Sequence, residues 1–104
     1  MAKGYVILTE AIRDSATMDE YGRAAGPSLA EFDAKVLVVD RSAEVLEGTW
    51  HGNQTVVLEF ESVEKAQAWY TSDTYRAAAS IRHAAADCNV VIVAGFTPRP
   101  AATG

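Results

Sequence analysis

The chain has 104 residues, of which 49% are hydrophobic, 22% charged and 9% aromatic, the make-up of one small globular domain with no room for a second. Nine Lys and Arg against fourteen Asp and Glu leave a net charge of −5, the wrong sign for a phosphate backbone or an anionic membrane, so neither nucleic acid nor membrane is expected as a partner. The longest apolar runs fall far below the ~20 residues of a membrane-spanning helix, and the lone Cys88 has no internal disulfide partner, which fits a reducing, cytoplasmic setting.

Residues 4–10 form an apolar run rich in β-branched and aromatic side chains, too short for a stable helix, and read as a first strand. Residues 13–16 read as a connection. Thr17-Met18-Asp19-Glu20 has the Thr-x-x-Glu spacing of a capping box and predicts a helix start at Thr17. Met18, Tyr21 and Ala25 follow at helical spacing, and Gly26-Pro27 predicts a kink before Leu29 and Phe32 resume the apolar face.

Residues 35–40 predict a second strand, joined through Asp40-Arg41-Ser42-Ala43 to a hairpin partner over residues 44–48. Turn chemistry at Gly52-Asn53 precedes Thr55-Val56-Val57-Leu58-Glu59-Phe60-Glu61, another strand. Ser62 is placed to cap a helix with Val63, Ala66 and Tyr70 on one face and Trp69 flanking it. Thr71-Ser72-Asp73 breaks and recaps, and residues 75–87 read as an Ala-rich helix that Asn89 ends. Residues 90–96 form the last strand. The order β-α-β-β-α-β predicts an α+β, ferredoxin-like domain over residues 1–97, with an antiparallel sheet, helices on one face, and a flexible C-terminal tail over residues 98–104.

Such a sheet is expected to alternate apolar and polar residues, because its second face meets water. These strands instead carry aliphatics on both sides: Val36 to Val39, and Val90 to Val93. Leaving them bare exceeds the apolar patch that monomers usually show, and with two main helical segments available the expected cover is a second copy of the chain. The sequence therefore predicts a homodimer whose two sheets meet face to face as a barrel.

Glu44-Val45-Leu46-Glu47-Gly48, then Val56-Val57-Leu58-Glu59-Phe60-Glu61-Ser62, then Trp69-Tyr70-x-Ser72-x-x-Tyr75, Arg82 and the closing Val91-Ile92-Val93-x-Gly95 resemble domain-of-unknown-function family 1330. The resemblance spans residues 4–96, and the Trp-Tyr-x-Ser-x-x-Tyr segment is its most specific part. It implies a dimeric α/β barrel, in a superfamily that also holds small monooxygenases, muconolactone-isomerase-like proteins and chlorite-dismutase-like haem proteins, and it implies no established activity. The chain departs from the family pattern in two places. Val39-Asp40-Arg41 stands where Arg-Gly-Gly is common, and Gln54 stands where an Arg often precedes the Val-Val-x-Glu-Phe strand, so no anion-binding role is carried over at those positions.

The candidate site residues come from side-chain chemistry. Trp69, Tyr70 and Tyr75 cluster at a helix break, where apolar rings with polar tips suit a ligand pocket, although core packing is the commoner use of a Trp. His83 is a candidate general base and its neighbour Arg82 a carboxylate holder, but adjacent helical positions point about 100° apart. His51, a loop histidine beside Trp50, is placed to close a pocket mouth, although a solvated loop position is the commoner use of such a residue. Glu10, Glu47 and Glu59 interrupt apolar segments, and a carboxylate on a covered face either pairs or holds its proton to higher pH. Of these, Glu59 joins Tyr75 and His83 as the catalytic candidates, with Trp69, Tyr70, Arg82 and Trp50 as ligand-binding candidates. No metal spacing, phosphate loop or cofactor fingerprint occurs, so no metal or cofactor is expected, and haem remains only the superfamily's suggestion. The leading expectation is a small organic ligand, acidic or aromatic, that is bound, or transformed by proton transfer or oxygenation. The competing one is a ligand-sensing or protein-interaction module without catalysis.

Overall fold

The computed structural model describes residues 2–98. The elements run β1 (Gly4–Ile12), α1 (Ser15–Glu31), β2 (Lys35–Asp40), β3 (Gln54–Phe60), α2 (Val63–Thr71), α3 (Asp73–Ala85) and β4 (Ala86–Ala94). The strands make one four-stranded sheet in the order β2-β3-β1-β4, every neighbour antiparallel, which is the ferredoxin-like arrangement. Apart from Pro98, the expected tail lies outside the described residues. No helix among them is long and apolar enough to cross a membrane.

Strand pleating sorts side chains by parity. Val6, Leu8 and Glu10 of β1 and Leu58 and Phe60 of β3 point to the helical side, where Ala66 and Trp69 of α2, Tyr75, Ala78 and Ala79 of α3 and Ala25 of α1 close the core. Trp69 is fully buried, its ring centroid 3.9 Å from that of Tyr75 and 5.3 Å from that of Phe60, and its Nε1 donates to Ser28 Oγ at 3.0 Å. That bond satisfies the indole N–H and ties α2 to α1. Gly4 is required where β1 passes the start of α2, because a Cβ there would fall 2.5 Å from the Ser62 carbonyl oxygen.

Five local expectations are corrected. The first helix starts at Ser15, since Asp14 and not Thr17 caps it: the Asp14 carboxylate accepts from Thr17 N at 3.1 Å and from Thr17 Oγ1 at 2.7 Å. The same helix runs through Gly26-Pro27 as one element and not as two pieces, with Ala25, Ser28 and Leu29 on its core side. The expected hairpin partner over residues 44–48 is loop, because β2 pairs with β3, whose apolar residues form a longer ladder, through a bulge between Val36 and Val38. Further along, α3 ends at Ala85 and passes directly into β4, whose register with β1 already holds Ile12 opposite Ala86 and Thr9 opposite Asn89. Ladder pairing along β1 there overrides the weak local preferences of residues 86–89. In α2 it is Trp69, not Tyr70, that joins Ala66 on the buried face.

On the helix-free side the register aligns Val38, Val57, Ile7 and Val91 in one row across all four strands, with Tyr5 and Val93 beside it. Val91 and Val93 remain 49% and 42% exposed. The sheet keeps β2 and β4 as free edges, so one chain does not itself close a barrel. At one end of this face, loop residues cover the strands: Trp50 Nε1 donates to Thr55 Oγ1 at 2.9 Å and His51 Nδ1 lies 2.8 Å from Thr9 Oγ1.

Because Trp69 joins α1, α2, α3 and β3 at one buried point, Trp69→Ala is expected to cost about 3–5 kcal/mol, a large share of the ~5–15 kcal/mol by which domains are stable. Urea unfolding followed by far-ultraviolet circular dichroism measures it.

Candidate functional site

Between α1 and the helical side of the sheet lies an open cavity of about 560 Å³. Its walls are largely apolar, from Leu8, Met18, Leu29, Val56, Leu58 and Trp69, with Val36 and Val39 at the edge strand. The volume and lining are those of a small-molecule site. Tyr21, Asp19 and Arg23 bring polar groups to the cavity from the helix above, and Glu10, Gln54 and Arg41 bring them from the sheet side.

The last three of these residues form a directed chain. Arg41 Nε donates to Gln54 Oε1 at 2.7 Å, and Gln54 Nε2 donates to Glu10 Oε1 at 2.7 Å. A guanidinium only donates, so it fixes the Gln54 amide with its oxygen toward Arg41 and its NH₂ toward Glu10. Oε1 of Glu10 is therefore an acceptor, and a proton on this carboxyl resides on Oε2. Glu10 is 1% exposed, and its Oε2 has no hydrogen-bond partner. Burial is the largest influence on this group and raises its pKa above the ordinary carboxyl range, against the opposing pull of the Gln54 bond and the charges of Arg82 and Arg41.

The chain positions Glu10 through its backbone as well. Asn53 N donates to the Glu10 carbonyl at 2.8 Å, and Asn53 Oδ1 accepts from Ile12 N at 2.9 Å. Gly52, at φ +84°, lies so close to the Glu10 backbone that any Cβ would collide with it. The long β2–β3 connection is thus anchored on β1 beside the carboxylate.

Behind the cavity a second polar set fills the space under α3. Tyr21 and Tyr75 hydroxyls lie 2.8 Å apart, Arg82 Nε donates to Tyr75 Oη at 3.3 Å, and Arg82 Nη2 reaches His83 Nε2 at 3.3 Å. Burial raises the pKa of both tyrosines, so they remain phenols. Cys88, opposite Glu10 on β4, is likewise pushed up by burial and stays a thiol.

The sequence candidates are distributed over three places. Trp69 lines the cavity and Tyr75 packs against it from behind, with its hydroxyl in the tyrosine–arginine set. Tyr70, His83 and the buried Arg82 line a separate depression that also includes Arg13 and Asp87. The adjacent Arg82 and His83 do meet, because the long arginine side chain spans the 100° between their helix positions. Glu59 and Trp50 are on the helix-free face, away from the cavity. There Tyr5 Oη donates to Glu59 at 3.0 Å and Lys3 Nζ at 3.3 Å, the Tyr5 bond first among the influences that hold the carboxylate below its usual pKa. Glu10, rather than Glu59, is the carboxylate on the covered side. Strand parity carries that signal in the sequence: Glu10 is in step with Val6 and Leu8, whereas Glu59 is out of step with Leu58 and Phe60. Gln54 carries no such signal, since only the tertiary pairing brings it between Arg41 and Glu10.

Among the described residues no three His, Cys, Asp or Glu side chains converge as a metal site. The class this architecture defines is a ferredoxin-like α+β domain with an apolar cavity walled by a buried carboxylate. The family model described as a domain of unknown function (DUF1330) matches residues 3–96, and the chain belongs to that family. Among solved structures, a protein of unknown function from Rhodopseudomonas palustris shares 20% identity over 93% of this chain and 85% of its own, with a TM-score of 0.77. A dimeric ferredoxin-like protein of unknown function from Thermobifida fusca shares 15% over 89% and 91%, with a TM-score of 0.61. SnoaB from Streptomyces nogalater, a cofactor-independent oxygenase, shares 8% over the whole of both chains, with a TM-score of 0.65. These likenesses are of fold. No curated protein matches the sequence.

The raised pKa of Glu10 has a consequence for stability. In the window above the unfolded carboxyl's pKa and up to the folded one, the native state binds more protons than the unfolded chain, so stability falls as pH rises through that window. Glu10→Gln is expected to remove this slope, as thermal unfolding of both proteins across the acid-to-neutral range would show.

Proposed function

We propose that the protein binds a small, mainly apolar organic molecule in the cavity under α1 and exchanges a proton with it through Glu10. The observation that carries this reading is the Glu10 carboxyl, buried in the cavity wall with one oxygen unpartnered and its pKa raised. A structural role alone leaves that cost uncompensated, since an unsatisfied buried polar group costs about 1–3 kcal/mol. A carboxyl whose pKa is raised by burial is suited to general acid–base work. Proton transfer of this kind needs no bound cofactor, and the resemblance in fold to a cofactor-independent oxygenase is compatible with it.

The test is wash-in of solvent deuterium. A panel of aryl and alicyclic ketones incubated with the protein in D₂O is followed by proton NMR; wild type accelerates loss of the α-proton signal for at least one member, and Glu10→Gln does not. Equal rates for the two proteins reject the assignment of Glu10.

The same reading includes a homodimer. The apolar row Val38–Val57–Ile7–Val91 supplies a self-complementary face, and the Thermobifida fusca protein of the same fold is described as dimeric. Two such faces in contact form the expected dimeric α/β barrel and cover the valines. Sedimentation equilibrium is expected to give twice the chain mass for wild type and the monomer mass for Ile7→Glu, which places a charge in the middle of the row.

A further inference from the structure

The cavity rim is charged in a way that its interior is not. Arg41, on the loop after β2, and Arg23, on α1, both line the cavity and are both exposed. Arg41 uses only Nε, toward Gln54, and among the described residues no other hydrogen bond or ion pair engages its guanidinium or that of Arg23. Asp19 is the one rim carboxylate, and it forms no ion pair with either. In a chain of net charge −5, two uncommitted guanidinium groups at one apolar opening call for an anion.

We propose that the cavity takes a small organic acid, its carboxylate held at the rim by Arg41 and Arg23 and its apolar body laid against Leu29, Val56 and Trp69, and that binding draws a proton from solvent onto Oε2 of Glu10. The inference rests on the cavity and carboxyl of the proposed function and adds the class of ligand and the direction of proton flow. Arg41 has two tasks: its Nε holds Gln54, and its terminal nitrogens meet the ligand.

The proton follows from electrostatics. The groups facing Glu10 are Arg41 after β2, Gln54 on β3, Arg82 and Tyr75 on α3, Tyr21 on α1 and Cys88 on β4. Of these only the two arginines are charged near neutrality, and both favour the ionised carboxylate. A ligand carboxylate at Arg41 neutralises one of them and adds a negative charge in the same cavity, so the protonated form of Glu10 gains. With Oε1 already accepting from Gln54, the arriving proton goes to Oε2, which makes Glu10 a donor toward the bound molecule.

The experiment compares benzoate with benzamide and hexanoate with hexanamide, by calorimetric titration of the intact protein. The acids are expected to bind about tenfold or more tightly than their amides, consistent with two charge-assisted contacts. Arg41→Gln and Arg23→Gln should each reduce that preference, and the double variant should abolish it. Once Glu10 is ionised in the free protein, acid affinity should fall with rising pH, approaching about tenfold per pH unit, and Glu10→Gln should bind the acids without that fall. Titration in two buffers of different ionisation heat reads the proton taken up. If amides bind as tightly as acids, the acid class is overturned while the cavity and its carboxyl stand. If acids bind preferentially but with the same pH dependence in wild type and Glu10→Gln, the proton uptake is overturned. If neither class binds, both this inference and the cavity reading fall.

Discussion

The central strand β1 is hydrogen-bonded on both edges along its length, to β3 from Gly4 through Glu10 and to β4 from Gly4 through Ile12. This double ladder locks register, and register locks parity: every second residue of β1 must face the helices and every other one must face away. The core, the cavity and the bare face follow from that one constraint. Val6 and Leu8 build the core because of it, Ile7 becomes the centre of the open row because of it, and Glu10 is carried into the covered side with no freedom to turn out. A one-residue slip would exchange the roles of Glu10 and Thr9.

The arrangement around Glu10 shows how a small domain tolerates a buried carboxyl. Burial penalises the charge, and the fold answers with one hydrogen bond from Gln54 and the fields of two arginines, leaving Oε2 unanswered. The long β2–β3 connection is central to that answer. It contains no strand, yet Gly52 and Asn53 attach it to the β1 backbone at Glu10, and its first residue, Arg41, orients the Gln54 amide. A loop that looks like surface punctuation therefore sets the chemistry of a core residue. The tyrosine–arginine set under α3 is the complementary case: Tyr21, Tyr75 and Arg82 are polar, deeply placed and mutually satisfied, and they join α1 to α3.

The two faces of the sheet divide the functional reading. The helical face carries the cavity, and the other carries the apolar row that the proposed dimer would cover. The aromatic segment Trp69-Tyr70-x-Ser72-x-x-Tyr75 serves both architecture and site. Ser72 caps α3 and lets the chain bend so that Trp69 and Tyr75 stack, and Trp69 then presents part of its ring to the cavity.

The sequence by itself determined the element order, the α+β ferredoxin-like class, the family and the greasy second face, because these depend on local periodicity, on caps such as Ser62 and Ser72, and on β-branched runs that persist whatever their partners. It also contained the parity that separates Glu10 from Glu59. Tertiary structure alone decided the rest. Where β2 pairs, where α3 gives way to β4, and that Arg41 and Gln54 converge on Glu10 are outcomes of long-range ladder formation, in which a segment's partner is chosen by competition among strands rather than by its own residues. The pKa of Glu10 belongs to the same group, since desolvation is a property of everything packed around a carboxyl and of no residue in the sequence taken singly.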